Sequence, residues 1–176
     1  EVVLDKAREI YQQLKDAGVR VKLDDRDTQS PGWKFNEWEL KGVPLRLEIG
    51  PKDIEKNQVV LVRRDNFEKS FVSMDNLAET VKEMLDKVHD GMYQKALDMR
   101  ERHAHVANNM EEFVDVLENK KGFVKAMWCG NRGCEDKVKE DTGATIRCIP
   151  FEQENLGDKC ICCGEEAKHM VYFAKA

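Results

Sequence analysis

Two sets of side chains in this 176-residue chain have the types and spacing to do chemistry. The first is a set of thiols. Cys129 and Cys134 form a Cys-x(4)-Cys pair, and Cys160 and Cys163 form a Cys-x(2)-Cys pair 26 positions after Cys134. A short turn aims two thiolates at one ion, and the intervening segment brings the second pair across. Four thiolates with no open position describe structural, tetrahedral zinc rather than a catalytic ion. Gly130, Gly133 and Gly164 permit the tight backbone of such knuckles. Cys162 adjoins a ligand position and competes with Cys163 for the fourth place. Cys148 is expected as a small core residue.

The second set lies in SPGWKFNEWELKGVPLRLEIGPKD, residues 30–53. Pro31-Gly32 reads as a chain break, after which Trp33, Phe35 and Trp38 offer loop aromatics beside Lys34 and Lys41, with an acid on a short helical turn. Leu45, Leu47 and Ile49 alternate with Arg46 and Glu48 at the period of a half-buried strand, so Arg46 and Glu48 face away from the core. Gly50-Pro51 ends that strand and presents Lys52 at its carboxyl edge. Rings flanked by charged donors and acceptors suit unpaired bases, which stack on aromatic faces and bond through their edges. By residue type alone the three rings serve equally well as core, and Trp38 is expected to pack inside.

No other group has a chemical context. There is no G-x-G-x-x-G and no P-loop lysine, and no Cys/His or Ser/His/Asp arrangement suited to nucleophilic catalysis. His89, His103 and His105 fall on or near a long charged helix without the i, i+4 spacing of a two-histidine site, and are expected as solvated helix residues. His169 is expected beside the terminal strand, in packing or at the surface.

Composition narrows the class. Hydrophobic residues make up 41% and charged residues 36%, and no stretch approaches the roughly 20 apolar residues of a membrane span. A basic segment followed by an apolar one, as in a secretory leader, is not seen at the start. All six cysteines lie in the last 48 residues, which favours a metal site in a reducing compartment, the cytoplasm, over a disulfide framework. The net charge of −5 argues against a generally basic nucleic-acid binder. From Arg26 to Lys69 there are nine Lys/Arg and eight Asp/Glu, a balance of +1. That weak footprint fits a reader of a few exposed bases better than a protein that coats a duplex.

The elements that must position these residues follow from periodicity. Val3, Ala7, Ile10, Tyr11, Leu14 and Ala17 have helical spacing, with Gly18 as the C-terminal cap. Val19, Val21 and Leu23 predict a strand, residues 45–49 a second, and the apolar run Val59–Val62 a buried third. Asn76 is placed to cap a long helix, with Leu77, Val81, Met84, Leu85, Val88 and Met92 on one face, running to about Val106. Asn108-Asn109 restarts a helix through Phe113, Val116 and Leu117, which Gly122 ends. Beyond it come short strands whose small core is expected from Val124, Met127, Trp128, Ile146, Ile149, Val171, Tyr172 and Phe173. Strand and helix alternation implies a mixed α/β sheet. Such a sheet ordinarily opens with a strand ahead of its first helix, so further sequence upstream of Glu1 is expected.

The words PGWKF, EWELKGVP, RLEIGPKD and QVVLVRRD, in this order and at these distances, resemble the anticodon-binding domain of prolyl-tRNA synthetases of the archaeal and eukaryotic type. WCGNRGCEDKVKEDTGATIRCIPF followed by KCICCG is similar to that family's C-terminal zinc domain, so the resemblance covers essentially the whole chain. It implies a fold: a mixed-sheet α/β class II anticodon-binding domain without its first strand over 1–75, a helical connector over 76–122, and a small α+β zinc-binding domain over 123–176. It implies a structural zinc on Cys129, Cys134, Cys160 and Cys163. It implies that Phe35 stacks on an anticodon base, and that Glu39, Arg46 and Lys52 contact the edges of the two guanines of the proline anticodon. Lys69 is expected at the RNA backbone or a base. The chemistry agrees, since a carboxylate accepts from guanine N1 and N2 while Arg and Lys donate to O6 and N7.

The family ligates proline to tRNA(Pro) with ATP and Mg in a class II catalytic core, and the three motifs of that core have no counterpart in these residues. This segment is therefore expected to recognise tRNA rather than to catalyse. The parent protein is expected as a homodimer through the catalytic part, and this segment as a monomer. Family members commonly end in a tyrosine after a YFAKA-like strand; the sequence here ends at Ala176, a departure that leaves the role of a terminal tyrosine carboxylate open. The rival reading is a stand-alone zinc-stabilised module that binds protein, which the net acidity and the long charged helix favour. A redox switch built on the cysteines ranks third.

Overall fold

The computed structural model describes residues 1–175, in two compact units, Glu1–Lys95 and Ala96–Ala176. The expectation attached to the terminal tyrosine falls on Ala176, outside the described residues. None of the described helices is long and apolar enough to cross a membrane.

The first unit opens with α1 (Val2–Asp16), which buries Ile10 and Leu14 and stops where Gly18 takes a left-handed φ of 82°. Helix α2 spans Pro31–Leu40, β1 Leu45–Glu48, α3 Pro51–Glu55, β2 Gln58–Arg63, β3 Lys69–Ser73, and α4 Leu77–Arg102. The sheet order is β1-β2-β3, antiparallel throughout. Its inner face carries Leu45, Leu47, Val59, Leu61 and Val72, packed with Ile10 and Leu14 of α1 and Leu77 and Val81 of α4.

Three local expectations change here. Residues 19–23 keep the alternating half-burial of a strand but form none. A strand is defined by its ladder, and this segment has no backbone partner among the described strands. Pro31 does not break the chain; it opens α2 at the first helical position, where its missing N–H is an orphan anyway and its fixed φ suits the helix. Ser30 caps that helix, its Oγ accepting from the Trp33 N–H, so the aromatics sit on a helix and not in a loop. Strand β3 was not foreseen, because only Ser70 and Val72 turn inward and Phe71 stays exposed.

In the second unit β4 (Ala104–Val106) is followed by α5 (Met110–Asp115), a π-helical turn (Val116–Lys120), β5 (Phe123–Trp128), α6 (Arg132–Thr142), β6 (Ala144–Cys148) and β7 (His169–Lys175). The sheet order is β4-β5-β7-β6, with β4 parallel to β5 and the other pairs antiparallel. Asn109 caps α5 by accepting from the Glu112 N–H, and the Glu112 carboxylate accepts in return from the Asn108 N–H. The core is Ala107, Phe113, Val116, Val124, Ala126, Val138, Ala144, Ile161, Val171 and Phe173. Phe113 meets Phe173 edge-on at 5.1 Å.

The long helix thus ends at Arg102, not near Val106. His105 lies on β4, half-buried, with its Nε2 shielded and without a partner, rather than on a solvated helix. Ile149 and Cys148 are exposed, not core. Both lie at or beyond the end of β6, past a register shift between Ile146 and Cys148 that takes the chain off the packed face.

Candidate nucleic-acid interface and metal centre

Helix α2 and strand β1 bring three of the four proposed base-reading residues into one cluster. The Arg46 guanidinium lies over the Phe35 ring at 4.0 Å from its centroid. Its Nη1 donates to Glu39 Oε1 at 2.5 Å and its Nε donates to Glu48 Oε1 at 2.8 Å. Helical spacing explains the pair on α2, since positions 35 and 39 are i and i+4 and share one face. Arg64 fastens that face to the sheet, its Nε donating to the Glu39 carbonyl at 2.9 Å. Lys52 stands apart, exposed in the first turn of α3, where Gly50 N–H donates to Asp53 Oδ2 at 2.9 Å. It makes no side-chain hydrogen bond or ion pair among the described residues.

A second network braces the other side of α2. Asp24 accepts from Arg26 Nε and Nη2 at 2.8 and 2.6 Å and from Trp38 Nε1 at 2.7 Å. Glu37 accepts from Arg26 and from Lys41. The hydrogen bond from Arg26 holds the Asp24 carboxyl far below the usual carboxylate range, with Trp38 adding to it against the opposing effect of burial. Trp38 is half-buried, held between this bond and the ammonium of Lys41 at 4.5 Å from its ring, and does not join the core as expected. Trp33 is 47% exposed. Sequence reading misses the brace: it places Lys41 beside the aromatics, but nothing local pairs Asp24 with Trp38 or Glu37 with Arg26.

In the second unit the four ligand candidates converge. Cys129 follows β5, Cys134 sits in the first turn of α6, and Cys160 and Cys163 belong to one tight turn. Their sulfurs all lie within 4.8 Å of one another, with Cys129 to Cys134 at 3.7 Å and Cys163 to Cys129 at 3.8 Å. Thiolates about 2.3 Å from one tetrahedral ion stand about 3.8 Å apart, so the donor set fits such an ion. Cys162 turns away and packs against the core, which separates it from Cys163. Cys162 and Cys163 are adjacent, and only one side of the turn faces the site.

The backbone prepares the pocket. Ile161 N–H donates to the Met127 carbonyl and Lys168 N–H to the Trp128 carbonyl, pinning the 160–164 turn beside the end of β5. Asn131 caps α6, its Oδ1 accepting from the Gly133 N–H at 2.8 Å. Burial pushes the Cys134 and Cys129 thiols up. Burial acts to raise Cys160 as well, but backbone N–H groups of Cys163, Cys162 and Cys129 aimed at its sulfur bring it down to about 7. Those N–H groups ease ionisation at one corner, and a dication would supply the charge the other sulfurs need.

Comparison with known proteins follows the same division. Residues 1–84 match a family model described as an anticodon binding domain, and residues 110–176 match one described as prolyl-tRNA synthetase, C-terminal. Curated relatives over all 176 residues include proteins named proline–tRNA ligase from Clostridium botulinum (strain ATCC 19397 / Type A) and Alkaliphilus oremlandii, each 59% identical. The protein of that name from Clostridium novyi is 57% identical over the same span. In each case 100% of this chain is covered but only 36% of the relative, so the chain spans about a third of the length of the relatives it matches. Matches over 1–84 and 110–176, with 59% identity across all 176 residues, place the sequence: the chain belongs to the prolyl-tRNA synthetase family, of which it carries the anticodon-binding and C-terminal domains.

Proposed function

We propose that this chain is the tRNA-reading part of a proline–tRNA ligase. The observation that carries the reading is Arg46, stacked on Phe35 and shared between Glu39 and Glu48, within the segment matched as an anticodon-binding domain. A guanine entering there finds both halves of its recognition. Arg46 donates as a fork to O6 and N7, and Glu39 accepts from N1 and N2. Phe35 offers a ring face to an unpaired base, and exposed Lys52 supplies a further donor for the second guanine. Binding the proline anticodon selects tRNA(Pro) and positions its acceptor end over the catalytic part, where ATP and Mg serve proline activation. The four cysteines hold zinc, a closed thiolate site whose work is structural.

The ligase works in the cytoplasm, as a homodimer through its catalytic part. The functional division is a reader over 1–75, a helical connector over 76–122 and a zinc domain over 123–176. The rival, a zinc-stabilised protein-interaction module, rests on the long charged helix and on net acidity, and the local balance of charge around Arg46 does not share that acidity. Fluorescence anisotropy with a labelled anticodon stem-loop carrying UGG, against one with both guanines replaced, separates them. UGG is preferred, and Arg46→Ala removes about 1–3 kcal/mol of discrimination at one guanine. Equal binding of both loops by the unmodified chain, or an unchanged ratio in the variant, would overturn the assignment.

A further inference from the structure

The outer face of the first sheet carries an aromatic that the anticodon reading leaves unused. Directly paired residues of an antiparallel sheet project to the same face. Arg46 pairs with Val62 and Val62 with Lys69; Glu48 pairs with Val60 and Val60 with Phe71. Arg46, Lys69 and Phe71 therefore stand on one face, opposite to the face that builds the core. Strands lie about 4.8 Å apart, so the Cα atoms of Arg46 and Lys69, two strands apart, are on the order of 10 Å from each other. Neighbouring nucleotides of an unstacked loop bridge such a gap.

Phe71 is 67% exposed there, on an edge strand. The charge of Glu48 is engaged by Arg46, whereas Lys69 makes no side-chain ion pair among the described residues. Phe67, 64% exposed, stands in the turn between β2 and β3 with φ of 60°, a region costly for a bulky residue. The turn is tied down: Arg63 Nη2 donates to Asp65 Oδ2 at 2.7 Å and to the Lys87 carbonyl of α4 at 3.0 Å. Two exposed rings thus stand on a tied hairpin, with the unpaired Lys69 sharing the face of Phe71. A protein-docking patch would be contiguous and apolar; here Lys69 and Ser73 bracket Phe71, the arrangement of a single-strand platform with a backbone contact beside it.

We propose that Phe71, with Lys69 beside it on the same face, forms a second stacking subsite for an unpaired nucleotide of the same RNA loop, next to the guanines read at Arg46. The proposal rests on the anticodon reading above. Stacking is tolerant of base identity, so this subsite adds affinity without choosing between anticodons.

The test uses the 176-residue chain and three kinds of labelled stem-loop: UGG, the guanine-substituted control, and a series of UGG loops each made abasic at one nucleotide outside the guanines. Phe71→Leu keeps an apolar side chain and removes the ring, and Phe71→Tyr keeps the ring. The leucine variant binds UGG and control loops weaker by the same factor, roughly 5- to 100-fold, and the tyrosine variant restores binding. One abasic loop binds the unmodified chain and the leucine variant alike, which identifies the stacked nucleotide. If the unmodified chain prefers UGG but Phe71→Leu binds every loop unchanged, or loses affinity equally on every abasic loop, the subsite is wrong and the reading at Arg46 stands. If the unmodified chain shows no preference for UGG, the reading at Arg46 fails and takes the subsite with it.

Discussion

Arg46 is bound three ways in the free protein, to a ring and to two carboxylates, and under the proposed anticodon reading each contact has a purpose. The stack on Phe35 and the two carboxylates fix the guanidinium plane, so little freedom is lost when it turns to a base edge. Because Glu39 and Glu48 already balance its charge, exchange for RNA gains little bulk attraction and much selectivity. A base that cannot satisfy both the fork and the carboxylate leaves charged groups unpaired in a partly closed site. Asp24 works on the other side of α2 by a different route. Its pKa in the folded protein is depressed below the unfolded value of about 3.9, chiefly by Arg26, with Trp38 adding a bond. A depressed carboxylate contributes stability that is complete above the unfolded value and is lost as pH falls below it towards the folded one. Glu37 and Asp65 shift in the same direction, so the first unit should weaken below about pH 4, and Asp24→Asn should make that decline shallower. Urea midpoints followed by tryptophan fluorescence at neutral pH and at about pH 3 check this; parallel declines in variant and wild type would refute it.

At the scale of elements, the join between β4 and β5 depends on one glycine. Gly122 has φ of 107°, and a Cβ there would run into the carbonyl oxygen of His103, the same oxygen that accepts from the Phe123 N–H at 2.7 Å. Gly122→Ala must strain the backbone by about 1–3 kcal/mol and break the parallel pairing of Ala104–Val106 with β5. Faster amide exchange on both strands, with the first unit unaltered, is the expected result; unchanged protection would show that the turn yields freely. That pairing also marks where the sequence was illegible. A three-residue strand held parallel to a strand some 20 residues later has no local pattern to announce it, so His103 and His105 read as the tail of a helix. Residues 19–23 err in the opposite sense, with the right period and no neighbour to bond. Leu45–Ile49 and the cysteine pairs were legible because their periods and spacings state a geometry outright. Phe71 escaped notice for want of a hydrophobic reason to be where it is.

At the scale of the whole chain, the two units hold themselves together by different physics, and this decides what metal loss should do. The first unit rests on a sheet whose inner face packs against both α1 and α4, with Val59, Leu61 and Leu77 almost fully buried. The second has a comparable set of buried side chains, but β5, α6 and the 160–164 turn also bring four sulfurs within reach of one ion, which under the proposed zinc reading ties them together. Structural zinc of this type is worth on the order of 10–16 kcal/mol in apparent binding, and where no preformed site exists in the unfolded chain that binding energy is folding energy. A strong chelator should therefore unfold Ala96–Ala176 while Glu1–Lys95 keeps its own urea transition. The tryptophans report separately: Trp33 and Trp38 belong to the first unit, and Trp128, whose Nε1 donates to the Asn131 carbonyl beside Cys129, belongs to the second. In a Trp128→Phe variant the fluorescence transition should ignore the chelator, and in the unmodified chain a chelator-sensitive component should appear and be restored by zinc. UGG stem-loop binding should survive metal removal, because Phe35, Glu39, Arg46 and Lys52 all lie in the first unit. Loss of RNA binding together with the zinc, while the first unit's transition persists, would mean that the metal domain takes part in reading and that its role is not structural alone.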